Sequence, residues 1–565
     1  MASNGIAVLV VDPIGQGERL QIIDREGKPL TRGATTEHTL LNAGFNLLGT
    51  SLAAQEYWDN HRALDYLLTR KDIDPEHIGV YGSSGGGTQT AYYIGLDPRV
   101  KVAAICSFFS TRERTMELQG PSDGCQHIPY EGREQLEVPD FALMMAPRPL
   151  LILSGKYDFV DLWGAQQGFA ELQQCYKVLG VPEKVDMLTV ETGHGLGAEK
   201  RQKLASWFKR WLKDNQSPVK KAAQDRFQLS DMLCTTKGQV NVSMPGALSI
   251  MQENVNQLDE WASKRETFLS KGKKTVQTKM LDLLGLKGLP DHKIRIEATG
   301  HDSMREYEQY KFLAHKGRGG CLFLVFFIMP SRANADSPIE LRLQEEGKGT
   351  YLSEYANFAA ALTEGKILLL ADLRGLGETT DPAFYTDAKY WNREYRNAMI
   401  SMHIGRPIMG QRVVDILTLL DFCSEHELLK GHPVKVFANG IYGPAVIHAA
   451  YLDERINSVE ITHSVKTWKE YIEKPMQWDM YSNVLYGALK YYDLPDLIRL
   501  SNRPIRLQIK NRIHLHCRSI LNVLKPDRDP AQDTHSPMSA LLLPVLHLQP
   551  GLLRHRLQDF WTLHS

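Results

Sequence analysis

One short stretch, "HIGVYGSSGGGTQTAYYIG" (His77–Gly95), limits what this chain can fold into more than any other. Ile78–Tyr81 is short, apolar and β-prone, whereas Thr88–Leu96 has no breaker before Gly95 and reads as helix. Between them the chain must turn within a few residues. In the frame G-x-S-x-G this turn is Gly82–Gly86, with Ser84 at its centre. A strand that turns directly into a helix around an exposed serine leaves no room for neighbouring side chains, which explains glycine on both sides. A phosphate-cradling loop fits less well, because no Gly-Lys-Ser/Thr follows and no G-x-G-x-x-G frame exists. The turn therefore predicts that Ser84, rather than Ser83, is a candidate nucleophile.

A serine becomes a useful nucleophile at neutral pH only with a base beside it, and the base needs an orienting carboxylate. "APRPLLILSGKYDFVD" (Ala146–Asp161) reads as a loop, a buried strand over Leu150–Ser154, then Gly155 and Asp158. A carboxylate just past the C-terminal end of a strand stands where open α/β sheets build their sites. Asp158 is favoured by position; Asp161 could be the acid or could cap the next helix. Further on, "VDMLTVETGHGLGAEKRQKLASWFKRWL" gives a strand, Gly193-His194-Gly195, and an amphipathic helix. A histidine between glycines on a loop can swing towards the serine. Serine, acid and histidine thus follow one another in order, each at a strand end. His38, His61, His77 and His127 read as surface or packing residues.

The chain also echoes itself. "VLVVDPIGQGER" (Val8–Arg19) resembles "ILLLADLRGLGET" (Ile367–Thr379), each read as a buried strand, an aspartate and a G-x-G-E turn. "GVYGSSGGG" matches "KVFANGIYG", and "LDPRVKVAA" matches "LDERINSVE". Val80 and Val436, Asp97 and Asp453, and Pro139 and Pro495 all stand 356 positions apart. A steady offset across separate motifs indicates two copies of one α/β unit. In this register Ser83 and Ser84 fall on Asn439 and Gly440, so the second copy has no nucleophile, and His463 near it reads as structural.

At 565 residues the chain exceeds one ordinary core. Its formal net charge of zero argues against nucleic acid or an anionic membrane as a bulk electrostatic partner. The seven cysteines are scattered without a C-x-x-C pair, so their spacing indicates neither a disulfide framework nor a zinc site. "CLFLVFFIM" (Cys321–Met329), the longest apolar run, is strand-sized and too short to span a bilayer. "DNQSPVKKAAQDRF" (Asp214–Phe227) is a polar boundary, and "ALSIMQENVNQLDEWASKRETFL" behind it has helical spacing. The boundaries expected are a catalytic unit over 1–215, linker and connecting helices over 216–290, a second unit over 291–510, and an atypical tail over 511–565. That tail is rich in Leu, Pro, His and Arg, has no clean period, and resembles an altered reading frame or an unrelated extension.

Residues 1–215 resemble the acetyl xylan esterase-like branch of the α/β-hydrolase superfamily. The stretches that carry the resemblance are "GIAVLVVDPIGQGERLQ", "GTSLAAQEYWDNHRALDYLLTRKDIDPEHIGVYGSSGGGTQTAY", "GPSDGCQHIP", "APRPLLIL" and "TGHG". The second half, through "DLRGLGET", "IGRPIMGQRVVDILTLLDF" and "YYDLPDL", is similar to the degenerate hydrolase domain that follows in two-domain members. The resemblance implies an α/β-hydrolase fold in two tandem copies, with Ser84 as nucleophile, His194 as base, Asp158 as acid and the Gly85 amide as an oxyanion donor. It implies a carbohydrate ester as substrate, no metal or organic cofactor, and a secreted or periplasmic setting. Another acyl hydrolase or a peptidase of the same fold, or a catalytically weak binding or structural protein with a vestigial triad, stands as the alternative. An N-terminal propeller repeat, expected of a prolyl peptidase, is not evident.

In such folds the strand leading to the aspartate and G-x-G turn follows a hairpin and one more central strand, whose loop gives a second oxyanion amide. Here only four residues precede "GIAVLVVDPIGQGER", while the second copy keeps a candidate in "CLFLVFFIMP". The expectation is an N-terminally incomplete first copy, Met1 being an internal or misassigned start. A bare sheet edge, a half-built oxyanion hole, and a weak or aggregation-prone hydrolase would follow.

Overall fold

A strand covered on both faces must be apolar at every position. Val102–Cys106 and Leu150–Gly155 are buried throughout. In the computed structural model, which describes residues 1–220, 227–289, 293–315, 322–382 and 390–508, these segments are β2 and β3 of a sheet with β1 (Gly79–Ser83) and β4 (Val185–Val190). Its strands are all parallel, in the order β1-β2-β3-β4. Parallel neighbours need crossover connections, and helices supply them. In chain order the helices of this half are α1 (Ala34–Leu47), α2 (Leu52–Thr69), α3 (Gly85–Ile94), α4 (Arg112–Leu118), α5 (Val138–Leu143), α6 (Leu162–Val178) and α7 (Ala198–Lys213).

The two-residue period of the strands divides their side chains between two cores. Ala103, Ile105, Leu150 and Ile152 pack with Ala91 and Ile94 of α3 and Leu172 of α6. Val102, Ala104, Leu151 and Leu153 pack with Leu204, Trp207 and Phe208 of α7. All four strand C-termini therefore open on one edge, where Ser84, Asp158 and His194 follow β1, β3 and β4.

The expected buried strand at Val8–Asp12 is absent. The segment carries no strand pairing, and Val10 is 81% exposed. A strand needs a ladder partner for its amides. Among the described residues none lies there, and the outer side of β1 is an open edge. The turn that follows does form: the Asp12 carboxylate accepts from Glu18 N at 2.9 Å, with Gly15 and Gly17 at positive φ.

The second sheet has eight strands: β5 (Arg295–Ser303), β6 (Tyr307–His315), β7 (Leu322–Pro330), β8 (Ile339–Leu343), β9 (Ile367–Ala371), β10 (Val434–Asn439), β11 (Ile456–Thr462) and β12 (Ile505–Gln508). Their order is β12-β11-β10-β8-β9-β7-β6-β5, with β8 to β12 parallel and β5 to β7 antiparallel. Here Ile367–Ala371 does form a buried strand, because β7 and β8 flank it. Several details recur at the spacing seen in the sequence. The helix Ile408–Glu425 begins and ends 356 positions after α2. Arg99 grips Asp97 and Asp65, and Arg455 grips Asp453 and Asp421. A similar turn recurs at a different spacing, 360 positions on: Asp372 accepts from Glu378 N at 2.9 Å, as Asp12 does from Glu18.

Residues 1–510 pack as one unit. The expected connecting helix is two short ones, Ile250–Glu260 and Ala262–Leu269, meeting at Trp261, followed by Lys273–Leu283. Leu40, Phe45 and Leu47 of α1 lie in one core with Leu258, Met280, Leu341 and Ile472. The Tyr395 hydroxyl donates to Ser122 O at 2.7 Å, and Asn42 Nδ2 donates to the Tyr481 hydroxyl at 3.1 Å. The tail 511–565 lies outside the described residues.

Candidate active site

Ser84 stands at the cap of α3 with φ 58° and ψ −123°. A non-glycine residue in that region is strained, and it persists only where its surroundings over-determine it. They do so here. Ser84 N donates to Cys106 O at 3.0 Å, and its own carbonyl accepts from Thr88 N at 3.0 Å. A Cβ on Gly82 would overlap the Gly86 carbonyl, and one on Gly87 would come within 2.7 Å of Cys106 O. By contrast a Cβ on Gly85 or Gly86 would meet nothing within 4 Å. The first turn of α3, where unpaired amides and the positive end of the helix dipole lie, therefore faces open space.

Two loops on the same edge bring the other candidates together. The His194 ring Nδ1 lies 2.8 Å from Asp158 Oδ1. The Asp158 side chain is 1% exposed and the His194 ring 29%. Burial pushes the Asp158 carboxyl up, but the Val160 amide, the His194 ring and the Ser107 hydroxyl outweigh it and hold the group below the usual carboxylate range. The Phe159 ring stacks on His194 with centroids 4.2 Å apart. Asp161, by contrast, caps α6, its carboxylate accepting from Gly164 N at 2.7 Å.

Two residues that sequence reasoning passed over hold the histidine loop. Ser107, at φ 49°, follows β2 directly and accepts from Gly195 N at 3.1 Å. Lys200, fully buried on α7, donates to the same hydroxyl at 3.2 Å and to Gly195 O at 2.9 Å. The one local sign of this in the sequence is a lysine on the apolar side of an amphipathic helix. Ser107 also adjoins Cys106, whose carbonyl holds Ser84, so the serine turn and the histidine loop rest on one point of β2.

The turn that follows β10 in the second sheet is built differently. Gly440 has φ 63°, and a Cβ there would collide with the Glu345 carboxylate, which accepts from Ile441 N at 2.9 Å. His463, at φ 55°, stands 356 positions after Ser107, in a left-handed turn beyond a strand and not on a loop like that of His194.

The sequence profile of the prolyl oligopeptidase family matches residues 48–215, which contain Ser84, Asp158 and His194. YtaP of Bacillus subtilis (strain 168), named as a hydrolase, is 26% identical over 214 residues, 38% of this chain and 67% of that protein. A structure from Bacteroides fragilis NCTC 9343 named for an acetyl xylan esterase is 15% identical, covering 43% of this chain and 68% of its own, with a TM-score of 0.36. The acetyl xylan esterase from Paenibacillus sp. R4 is 12% identical over 48% of this chain and 98% of its own, with a TM-score of 0.28. Likenesses at those TM-scores carry no argument about activity. The family match, laid over a parallel sheet with helices on both faces, makes residues 48–215 a serine-hydrolase region of the α/β-hydrolase type.

Proposed function

We propose that the chain is a serine carboxylic-ester hydrolase acting on acetyl groups of xylan or a related plant cell-wall polysaccharide. The observation that carries this reading is Ser84 in its strained turn on the same sheet edge as the His194–Asp158 pair. In this reading His194 Nε2 takes the Ser84 proton as Oγ attacks the ester carbonyl. The Gly85 amide donates to the developing oxyanion. His194 then returns the proton to the departing sugar oxygen, leaving an acyl-enzyme. Water, deprotonated by the same nitrogen, releases the acid. Asp158 stays ionised and keeps the proton of the ring on Nδ1. The carbohydrate substrate rests on the stretches that resemble acetyl xylan esterases.

The second sheet then reads as a degenerate copy, with Glu345 and Gly440 where a nucleophile would stand. The name of the matching family favours a second reading, a peptidase of the same fold. Both are tested by treating the full chain with a fluorophosphonate, mapping the labelled peptide, and assaying acetyl-xylan, a methyl glucuronate ester, p-nitrophenyl acetate and prolyl peptides. The esterase reading expects label on Ser84 and turnover of esters. Label on Ser83, or cleavage of peptides alone, would overturn it.

A further inference from the structure

Away from Ser84, four buried side chains converge. His38 on α1, Asp123, and Cys125 in the turn Gly124–Gln126 offer ligand atoms that all lie within 4.8 Å of one another. Glu56 on α2 interacts electrostatically with all three. Each of the four is 2–3% exposed. We propose that His38, Asp123 and Cys125, with Glu56 beside them, form a buried structural site for a divalent transition-metal cation, zinc above all.

The protons lead to this reading. His38 Nε2 lies 2.8 Å from the Ile14 carbonyl, which can only accept, so this nitrogen carries a hydrogen. Nδ1 then faces Asp123 Oδ2 at 3.1 Å, and the same oxygen lies 3.3 Å from Cys125 Sγ. A cation placed among Nδ1, this carboxylate oxygen and the sulfur would be held by all three. A metal-bound histidine characteristically gives its other N–H to a carbonyl in just this way. The separations suit a tetrahedral ion, whose ligand atoms stand about 3.3–3.5 Å apart at the usual bond lengths. One nitrogen, one thiolate and one carboxylate, with the Glu56 carboxylate close by, are donors that zinc accepts.

Glu56 is the independent observation. Among the described residues neither of its carboxylate oxygens has a hydrogen-bond partner. The nearby Arg19 is engaged by Asp59 at 2.7 Å. The second half shows the deficit by contrast. The residues 356 positions after His38, Glu56 and Asp123 are Glu394, Arg412 and Asp479. Arg412 donates to Glu394 and to the Arg374 carbonyl, as His38 donates to the Ile14 carbonyl. There a guanidinium brings positive charge into the cluster from the helix that here brings an acid. A bound divalent ion supplies that charge from outside and joins α1, α2 and the Gly124–Gln126 turn.

The test uses the full chain, purified, stripped with a chelator and reloaded with Zn2+ or Co2+. Metal analysis should find about one ion per chain, as for a single structural site. The Co2+ form should show a thiolate-to-cobalt charge-transfer band, lost in Cys125→Ser, and added zinc should raise the thermal midpoint of the stripped protein. Glu56→Gln should weaken zinc binding at least about tenfold, the lower bound even for outer-shell partners. Stripped wild-type chain that is folded by circular dichroism yet takes up neither metal would overturn the proposal. So would a charge-transfer band that persists in Cys125→Ser. None of these readouts depends on ester hydrolysis.

Discussion

Asp158 and Asp161 stand three positions apart on one loop, and only their contacts separate their roles. Asp158 holds the His194 ring, whereas Asp161 holds the first turn of α6. Asp158→Asn should therefore lower kcat by about 10³–10⁴-fold, with the fold retained. Asp161→Ala should instead cost about 1 kcal/mol of stability, as loss of a cap does, with kcat within a few-fold of the parent. Steady-state kinetics and denaturant midpoints on both variants separate these outcomes; equal kcat losses would contradict the assignment. The lowered pKa of Asp158 adds a pH signature. A carboxyl held low in the folded state stabilises fully above its unfolded value, near ~3.9, and loses that contribution as pH falls through the folded value. The gap in unfolding midpoint between the parent and Asp158→Asn should therefore be flat from pH 7 to about 5 and narrow below about 4. A gap that widens in acid would refute this.

At the scale of elements, two strand–turn–helix units share a turn at positive φ and differ in what surrounds it. Both turns place a residue at positive φ after a parallel strand, Ser84 in one and Gly440 in the other. The first is kept open by Gly82 and Gly87, and the second is filled by Glu345. Gly82→Ala forces a methyl against the Gly86 carbonyl, so the turn must shift. A loss of about 1–3 kcal/mol is expected, as for other overpacked sites, together with loss of fluorophosphonate labelling. Gly440→Ser in a Ser84→Ala background should lower the unfolding midpoint and restore no label. Labelling of the introduced serine in that double variant would show that the second turn can host a nucleophile after all.

Across the whole molecule, α1 ties the halves together. Leu40, Phe45 and Leu47 are fully covered, and part of their cover comes from residues beyond 250. Cut after residue 215, the first half would expose these side chains, each worth about 1.5–3 kcal/mol when buried. The 1–215 fragment should therefore bind hydrophobic dyes, lack a cooperative melt and hydrolyse esters poorly, even though it contains Ser84, Asp158 and His194. A fragment 291–510 should hydrolyse none. A 1–215 fragment that melts cooperatively with the parent turnover would show that the shared core is dispensable.

What the sequence determined by itself was whatever depends on neighbours along the chain. Period and composition marked β2, β3, β4 and α7, and the steric demand of a tight turn singled out Ser84. The fixed offset of 356 positions between separate motifs is legible there as well. Tertiary structure decided whatever depends on partners far away in the chain. Val8–Val11 has the composition of a strand, but a ladder is made by two segments, and among the described residues no second one lies beside it. Position along the loop favours Asp158 over Asp161, but only the contact with His194 separates them. His38 reads as a packing residue until Glu56, Asp123 and Cys125, from other segments of the chain, close around it. Hydrophobic period is a local signal, whereas hydrogen bonds and charge compensation in a buried cluster belong to residues that only the fold makes neighbours.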